Sequence, residues 1–125
     1  MLKELEKELD TLKDSERSAA LQRFFKTGKG QYGEGDIFLG LTVPQSRVYA
    51  KKYASMSFGD IAKLLASKIH EKRLIALLIL VHNFEKGSGE ERRRIFNFYI
   101  TSLQHINNWD LVDLSAGKIV GGYLY

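Results

Sequence analysis

The stretch IHEKRLIALLILVHNFEKG, residues 69–87, decides the fold of this chain. Its longest apolar run, Leu74–Val81, is too short to cross a bilayer. Apolar residues lie on nearly every side of a helix drawn through the stretch, and Gly87 suits the position just after a last turn. We therefore predict a helix from about residue 69 to residue 86 that is more buried than any other element.

Capping residues and apolar periodicity predict helices over most of the remaining chain. The first helix is indicated by apolar residues at helical spacing, namely Leu2, Leu5, Leu9 and Leu12. The further start signals are Asp14 or Ser15 for the second helix, Thr42 with Pro44 for the third, Ser57 for the fourth, Ser88 with Glu91 for the sixth, and Asn107 or Asn108 for a seventh. The sixth helix should bury Ile95, Tyr99, Leu103 and Ile106.

The pattern predicts an all-α chain, because no segment alternates polar and apolar residues as a half-buried strand does. Short helices joined by short turns favour antiparallel helical pairs, and a stack of such pairs is an α-solenoid. A closed helical bundle is the competing architecture. A chain of 125 residues is long enough for its own core, so we interpret residues 1–125 as one domain or as one piece of a larger one.

Composition excludes several classes of site. The chain has no cysteine, which rules out disulfides, thiolate zinc sites, iron–sulfur clusters and a cysteine nucleophile. The N-terminal residues 1–6 contain no apolar segment of the kind found in a signal peptide. Together these features predict a cytoplasmic location and no membrane partner.

Charge is distributed unevenly along the sequence. The net charge is +4, but residues 17–30 carry four basic side chains and no acidic one, and residues 47–73 carry seven basic side chains against two acidic ones. A basic stretch of this kind suits a polyanion, of which nucleic acid is the commonest. The alternative is that these side chains form the solvated faces of helices.

Most of the motifs that suggest a catalytic or binding site are explained at least as well by a structural role. The glycine-rich segment 28–36 lacks the ending of a phosphate-binding loop, so we favour a connector. The three histidines lie far apart, so we expect no metal site, and His70 and His105 are interpreted as surface or capping residues. The run Arg92–Arg94 could hold a phosphate or form a solvated face.

The segment INNWDLVDLSA, residues 106–116, differs from these motifs. Trp109 and Asp113 are four residues apart and share one face of a helix. A carboxylate beside an indole ring is an arrangement that can recognise or stabilise a cation. The alternative is that Trp109 belongs to the core and that Asp113 lies on the exposed side of the helix.

Several ordered motifs resemble the AlkD-like DNA alkylation repair family. They are GDIFLGLTVP (35–44) followed by Arg47 and AKKY (50–53), IHEKRLIALLILV (69–81) with FEK (84–86), and NNWDLVD (107–113). The resemblance covers nearly the whole chain. It implies a HEAT-like α-solenoid whose concave basic face takes duplex DNA, and hydrolysis of the N-glycosidic bond of N3- or N7-alkylated purines.

The resemblance also implies roles for individual residues. Asp113 would be the catalytic carboxylate, stabilising the oxocarbenium-like sugar and positioning water, and Trp109 would pack against the nucleotide that carries the lesion. For DNA binding we predict Arg47 and Lys51, which share a face of the third helix, together with Thr42 at the start of that helix. No cofactor and no metal is expected.

The family's chains are normally longer, and a downstream arginine and a second tryptophan of its active site are not found before Tyr125. We therefore expect residues 1–125 to correspond to the N-terminal part of the family's domain, with self-association through the apolar C-terminal residues. Two other functions remain open from the sequence: a non-catalytic HEAT-like module that binds DNA or protein, and a helical protein–protein adaptor.

Overall fold

The computed structural model describes residues 1–12, 14–24 and 37–102, with side chains up to residue 20 in the second range. Six helices lie in these ranges: α1 (Leu2–Thr11), α2 (Ser15–Phe24), α3 (Val43–Lys52), α4 (Phe58–Leu65), α5 (His70–Lys86) and α6 (Gly89–Ser102). The predicted all-helical class is confirmed for the described residues, whose only bridge of β type joins Ile37 to Ile69. The predicted seventh helix, Leu103 and Ile106 lie outside the described residues.

Helix α5 forms the centre of the core, as predicted. Ile75, Ile79 and Leu80 are fully buried, and the helix packs against α3, α4 and α6. Each such side chain contributes about 1.5–3 kcal/mol through burial, so α5 supplies a large part of the hydrophobic stabilisation. The predicted bounds are confirmed, since Ile69 is the N-cap and Gly87 the C-cap. Within the described residues, no helix is long and apolar enough to span a membrane.

Side-chain caps begin the helices where the sequence predicts them. Thr42 Oγ1 accepts a hydrogen bond from the Gln45 N–H at 3.2 Å, and the Gln45 side-chain oxygen accepts one from the Thr42 N–H at 2.8 Å, which completes a capping box before Pro44. The carboxylate of Asp14 accepts from the backbone of Arg17 at 3.1 Å, which identifies Asp14 as the cap of α2. Equivalent bonds start α4 and α6, from Asp60 to Ser57 at 3.2 Å and from Glu91 to Ser88 at 3.4 Å.

The segment 37–42, here called the 37–42 junction, leads into α3 and is fastened by the start of α5. The carboxylate of Glu71, which is 2% exposed, accepts three backbone hydrogen bonds: from Leu39 at 2.9 Å, Gly40 at 2.9 Å and Leu41 at 3.3 Å. Gly40 has a φ of +94°, and a Cβ there would lie 2.4 Å from the backbone oxygen of Asp14. Glycine is therefore required on both conformational and steric grounds.

Helix α1 docks through two buried leucines and two ionic contacts. Leu5 and Leu9 are fully buried. The carboxylate of Glu8 accepts hydrogen bonds from Lys52 and, at 2.6 Å, from the hydroxyl of Tyr53, and Glu6 pairs with Lys72 at 2.9 Å. These contacts attach α1 to the end of α3 and to the start of α5.

The Glu8 contacts predict a defined pH dependence. The pKa of Glu8 lies below its ordinary value of 4.5, chiefly because Lys52 and then Tyr53 donate hydrogen bonds to the carboxylate. A depressed carboxyl pKa gives stability that is present above the unfolded pKa and is lost as pH falls through the folded one. The same hydrogen bond to Glu8 raises the pKa of Lys52 above its ordinary value of 10.5. The stability that comes from this raised pKa is present below the unfolded pKa and is lost as pH rises through the folded one.

We therefore expect Glu8→Gln to melt below the parent protein at pH 7, and the difference in Tm to shrink as pH falls below 4.5. Thermal melts followed by circular dichroism from pH 3 to pH 7 measure this difference. Glu16→Gln, at an exposed position on α2, is the matched control. A Tm difference for Glu8→Gln that stays constant over this range would show that the ionic contact contributes nothing.

Candidate nucleic-acid interface

The solvent-facing side of α3 carries two basic residues, as predicted. Arg47 and Lys51 are exposed and one helical turn apart, and the helix sequence VPQSRVYAKK contains no acidic residue. Among the residues that the structure describes, neither side chain forms an ion pair. Both charges are therefore available to a ligand that approaches this side of the helix.

A groove of about 270 Å³ runs between α3 and α5 beside these two side chains. Its lining residues are Arg47, Ala50 and Lys51 from α3 and Leu78, Val81, His82 and Glu85 from α5. Both sets follow helical spacing, so two stripes of side chains face each other. The groove thus combines an apolar floor of Ala50, Leu78 and Val81 with a rim that is mostly basic.

A larger depression of about 430 Å³ lies on another side of the chain, between the turn before α4 and helices α5 and α6. Its charged lining residues are Glu91 and Arg94, whose charges cancel. The α3–α5 groove, with two permanent cations against one carboxylate, is the better match to a polyanion.

Thr42 lies at the N-terminal end of α3, where its side chain is engaged in the helix cap. Its hydroxyl oxygen accepts from the Gln45 N–H, and the hydroxyl donates to the side-chain oxygen of Gln45 at 3.2 Å. The predicted capping role of Thr42 is confirmed. Because its hydroxyl and its own N–H both donate to Gln45, Thr42 has no uncommitted donor for a phosphate oxygen, and a phosphate at this end of α3 would have to be bound by neighbouring groups.

The basic stretch 47–73 presents fewer free charges than the sequence indicates. Lys72 is 9% exposed and pairs with Glu6, and Arg73 is 2% exposed and donates to the backbone oxygen of Ser67 at 2.7 Å. Lys52 pairs with Glu8. All three cations therefore already contact groups of the protein. On α3, Arg47 and Lys51 remain for a ligand.

Two other sequence interpretations are revised. His70 is not at the surface: it is 8% exposed, and its ring stacks on Phe38 with centroids 4.6 Å apart, because the 37–42 junction covers the start of α5. Arg92 is not part of a solvated basic run, because its side chain donates to the backbone oxygen of Phe84 at 2.9 Å and lies over the ring of that residue.

The predicted catalytic and substrate-binding residues, Asp113 and Trp109, lie outside the described residues, as does His105. Among the described residues, no group of three histidine, aspartate or glutamate side chains could hold a metal ion.

Two residues to which the sequence patterns assign no role have one in the structure. Glu71 organises the backbone before α3, and His82 lines the groove. The sequence holds a signal for His82, because it continues the helical spacing of Leu78 and Glu85. It holds none for Glu71, whose partners lie about 30 residues earlier in the chain.

Comparison with known proteins gives one match. Residues 5–125 match the protein-family model described as DNA alkylation repair enzyme. There is no significant match among curated proteins or among solved structures.

Proposed function

The chain belongs to the family of DNA alkylation repair enzymes, and on that premise we propose that it is an alkylpurine DNA glycosylase. Its substrate would be duplex DNA that contains N3- or N7-alkylated purines, and its reaction would be hydrolysis of the N-glycosidic bond. The observation that carries this proposal is the family match, which extends over residues 5–125 and so includes the segment with Trp109 and Asp113.

The proposed chemistry follows from the nature of the lesion. Alkylation at N3 or N7 makes the purine cationic and a good leaving group, so the enzyme has mainly to stabilise developing positive charge on the sugar and to position water. A carboxylate at Asp113 would do both. Trp109, one helical turn earlier, would pack on the sugar or base of the damaged nucleotide.

We propose that residues 1–125 form a HEAT-like α-solenoid and not a closed bundle. Packing of α5 against α3, α4 and α6, and of α4 against α6, supports a stack in which each helical pair rests on its neighbour. The face with Arg47 and Lys51 would then be the DNA-binding face, with Thr42 and the start of α3 near a phosphate.

This DNA face predicts a change in salt dependence. We expect Arg47→Ala and Lys51→Ala each to weaken binding to any duplex, damaged or not, and to lower the slope of log affinity against log salt by about 0.9 for each phosphate that is no longer neutralised. Fluorescence anisotropy at several salt concentrations measures the slope. Lys63→Ala, an exposed lysine on α4, is the matched control. Unchanged slopes in both α3 variants would show that DNA binds to another face of the protein, and the Arg23–Lys26 segment would then be tested.

The activity itself is tested with a duplex that contains 7-methylguanine. Excision leaves an abasic site, so heating in alkali after incubation with the protein should give strand breaks at the lesion. Binding without breaks would identify a non-catalytic DNA-binding module instead. The absence of salt-dependent DNA binding would identify a protein–protein adaptor.

Two further expectations stay predictions. Self-association through the apolar residues 120–125 can be tested by sedimentation at several protein concentrations. A cytoplasmic location can be tested by fractionation of cells that express the chain.

A further inference from the structure

We propose that His82 is a DNA-backbone contact on the second wall of the α3–α5 groove, opposite Arg47 and Lys51, and that its protonation couples duplex binding to pH. This inference rests on the proposed function, because it takes the ligand of the groove to be a DNA strand. It adds a ligand-binding residue that neither the family match nor the sequence motifs assign.

The geometry of the groove supports the proposal. His82 belongs to the α5 stripe that lines the groove, between Leu78 one turn before it and Glu85 one turn after it. The facing wall carries Arg47 and Lys51, also one turn apart. A phosphate group held from the α3 side would therefore have an imidazole on its other side. The apolar floor between the two walls suits the carbon skeleton of deoxyribose.

His82 is available for such a contact. Its side chain is partly exposed, and within the described part of the chain no hydrogen bond involves its ring nitrogens. The next residue, Asn83, differs, because its amide donates to the backbone oxygen of Ala54 at 2.8 Å. An imidazole without such a commitment can donate one N–H when neutral and two when protonated.

The charged groups that surround His82 are Arg47 and Lys51 on the facing helix α3, and Glu85 and Lys86 on its own helix. A bound phosphodiester supplies negative charge at the centre of this group, which favours the imidazolium. Binding of DNA should therefore take up a proton in the pH range where histidine titrates.

The test uses the intact chain and an undamaged fluorescent duplex, whose affinity is measured at pH 6 and pH 8 over several salt concentrations. We expect the parent protein to bind up to about tenfold more tightly at pH 6 and to show a salt slope larger by about 0.9 there, because one more phosphate is neutralised. His82→Gln should lose both differences. His82→Lys, with a permanent charge, should bind tightly at both pH values.

Lys63→Ala, on the exposed side of α4, is the control and should keep the pH dependence of the parent, and melting curves of all variants establish that they fold. The inference is overturned if His82→Gln retains the parent's pH dependence, or if the parent binds DNA equally at both pH values. In either case salt-dependent binding would still support the proposed function. If the parent binds no duplex at either pH, both proposals fail.

Discussion

Replacement of Glu71 with alanine should lower the free energy of unfolding by about 3–5 kcal/mol. The carboxylate is 2% exposed and accepts hydrogen bonds from three successive backbone N–H groups, those of Leu39, Gly40 and Leu41. Alanine leaves these donors buried without an acceptor, at about 1–3 kcal/mol for each donor that water cannot reach. The loss falls on the 37–42 junction, which holds the start of α3 in place.

The measurement is urea unfolding followed by circular dichroism at 222 nm. Glu71→Gln should lie between the parent and Glu71→Ala, because its amide oxygen can still accept while its NH₂ group faces a donor. Glu90→Ala is the control: that carboxylate is 67% exposed and pairs with Arg93 at 3.3 Å, so its loss should change stability by less than about 1 kcal/mol. Equal destabilisation by Glu71→Ala and Glu90→Ala would contradict the role of Glu71.

Asp113→Asn should slow single-turnover excision of 7-methylguanine by roughly two to three decades. If Asp113 stabilises the cationic sugar, the substitution keeps the size and hydrogen bonding of the side chain but removes its charge, and loss of such a group costs ~3–4 kcal/mol in the transition state. Binding to undamaged DNA should hardly change. The substitution removes a negative charge, so any effect on affinity should be a small gain from reduced repulsion by the phosphates.

Trp109→Ala is expected to weaken recognition of the damaged nucleotide, whereas Asp113→Asn is expected to slow the chemical step. Trp109→Ala would remove packing against the lesion, and it would also lower stability by ~3–5 kcal/mol if the ring belongs to the core. A melting curve must therefore accompany each rate, because an unfolded variant imitates lost catalysis.

A folded Asp113→Asn protein that excises at the parental rate would remove Asp113 from the mechanism and leave the segment as a structural helix start.

Local signals in the sequence predicted the described helices well, because each rests on interactions between near neighbours. The Thr42 cap of α3 and the Ser57 cap of α4 each follow from a side chain three residues from the backbone group that it binds, and α5 ends at Gly87, the glycine that follows its last turn. The burial of α5 followed from its apolar composition. Ile95 and Tyr99 are buried on α6 as the periodicity predicts.

The burial of the start of α5 could not be predicted from local signals. Four consecutive polar residues, His70–Arg73, suggest a solvated first turn, yet all four are buried. Two of them have partners in distant parts of the chain: Glu6 for Lys72 and the 37–42 junction for Glu71. The same limit applies to the site, since spacing alone predicted the shared face of Arg47 and Lys51, whereas the position of His82 opposite them depends on how α3 and α5 pack.

The attachment of the 37–42 junction to α5 also bears on the lifetime of the folded state. The bond from Leu39 to Glu71 joins residues 32 positions apart, and that from Ser18 to Phe38 joins residues 20 apart. Closing loops of this length reduces chain entropy before any favourable interaction forms, so these bonds should form after the local helices. Interactions absent from the transition state govern the rate of unfolding and not the rate of folding. The Glu71 carboxylate is thus expected to set how long the start of α3 stays assembled, with little effect on how quickly the chain folds.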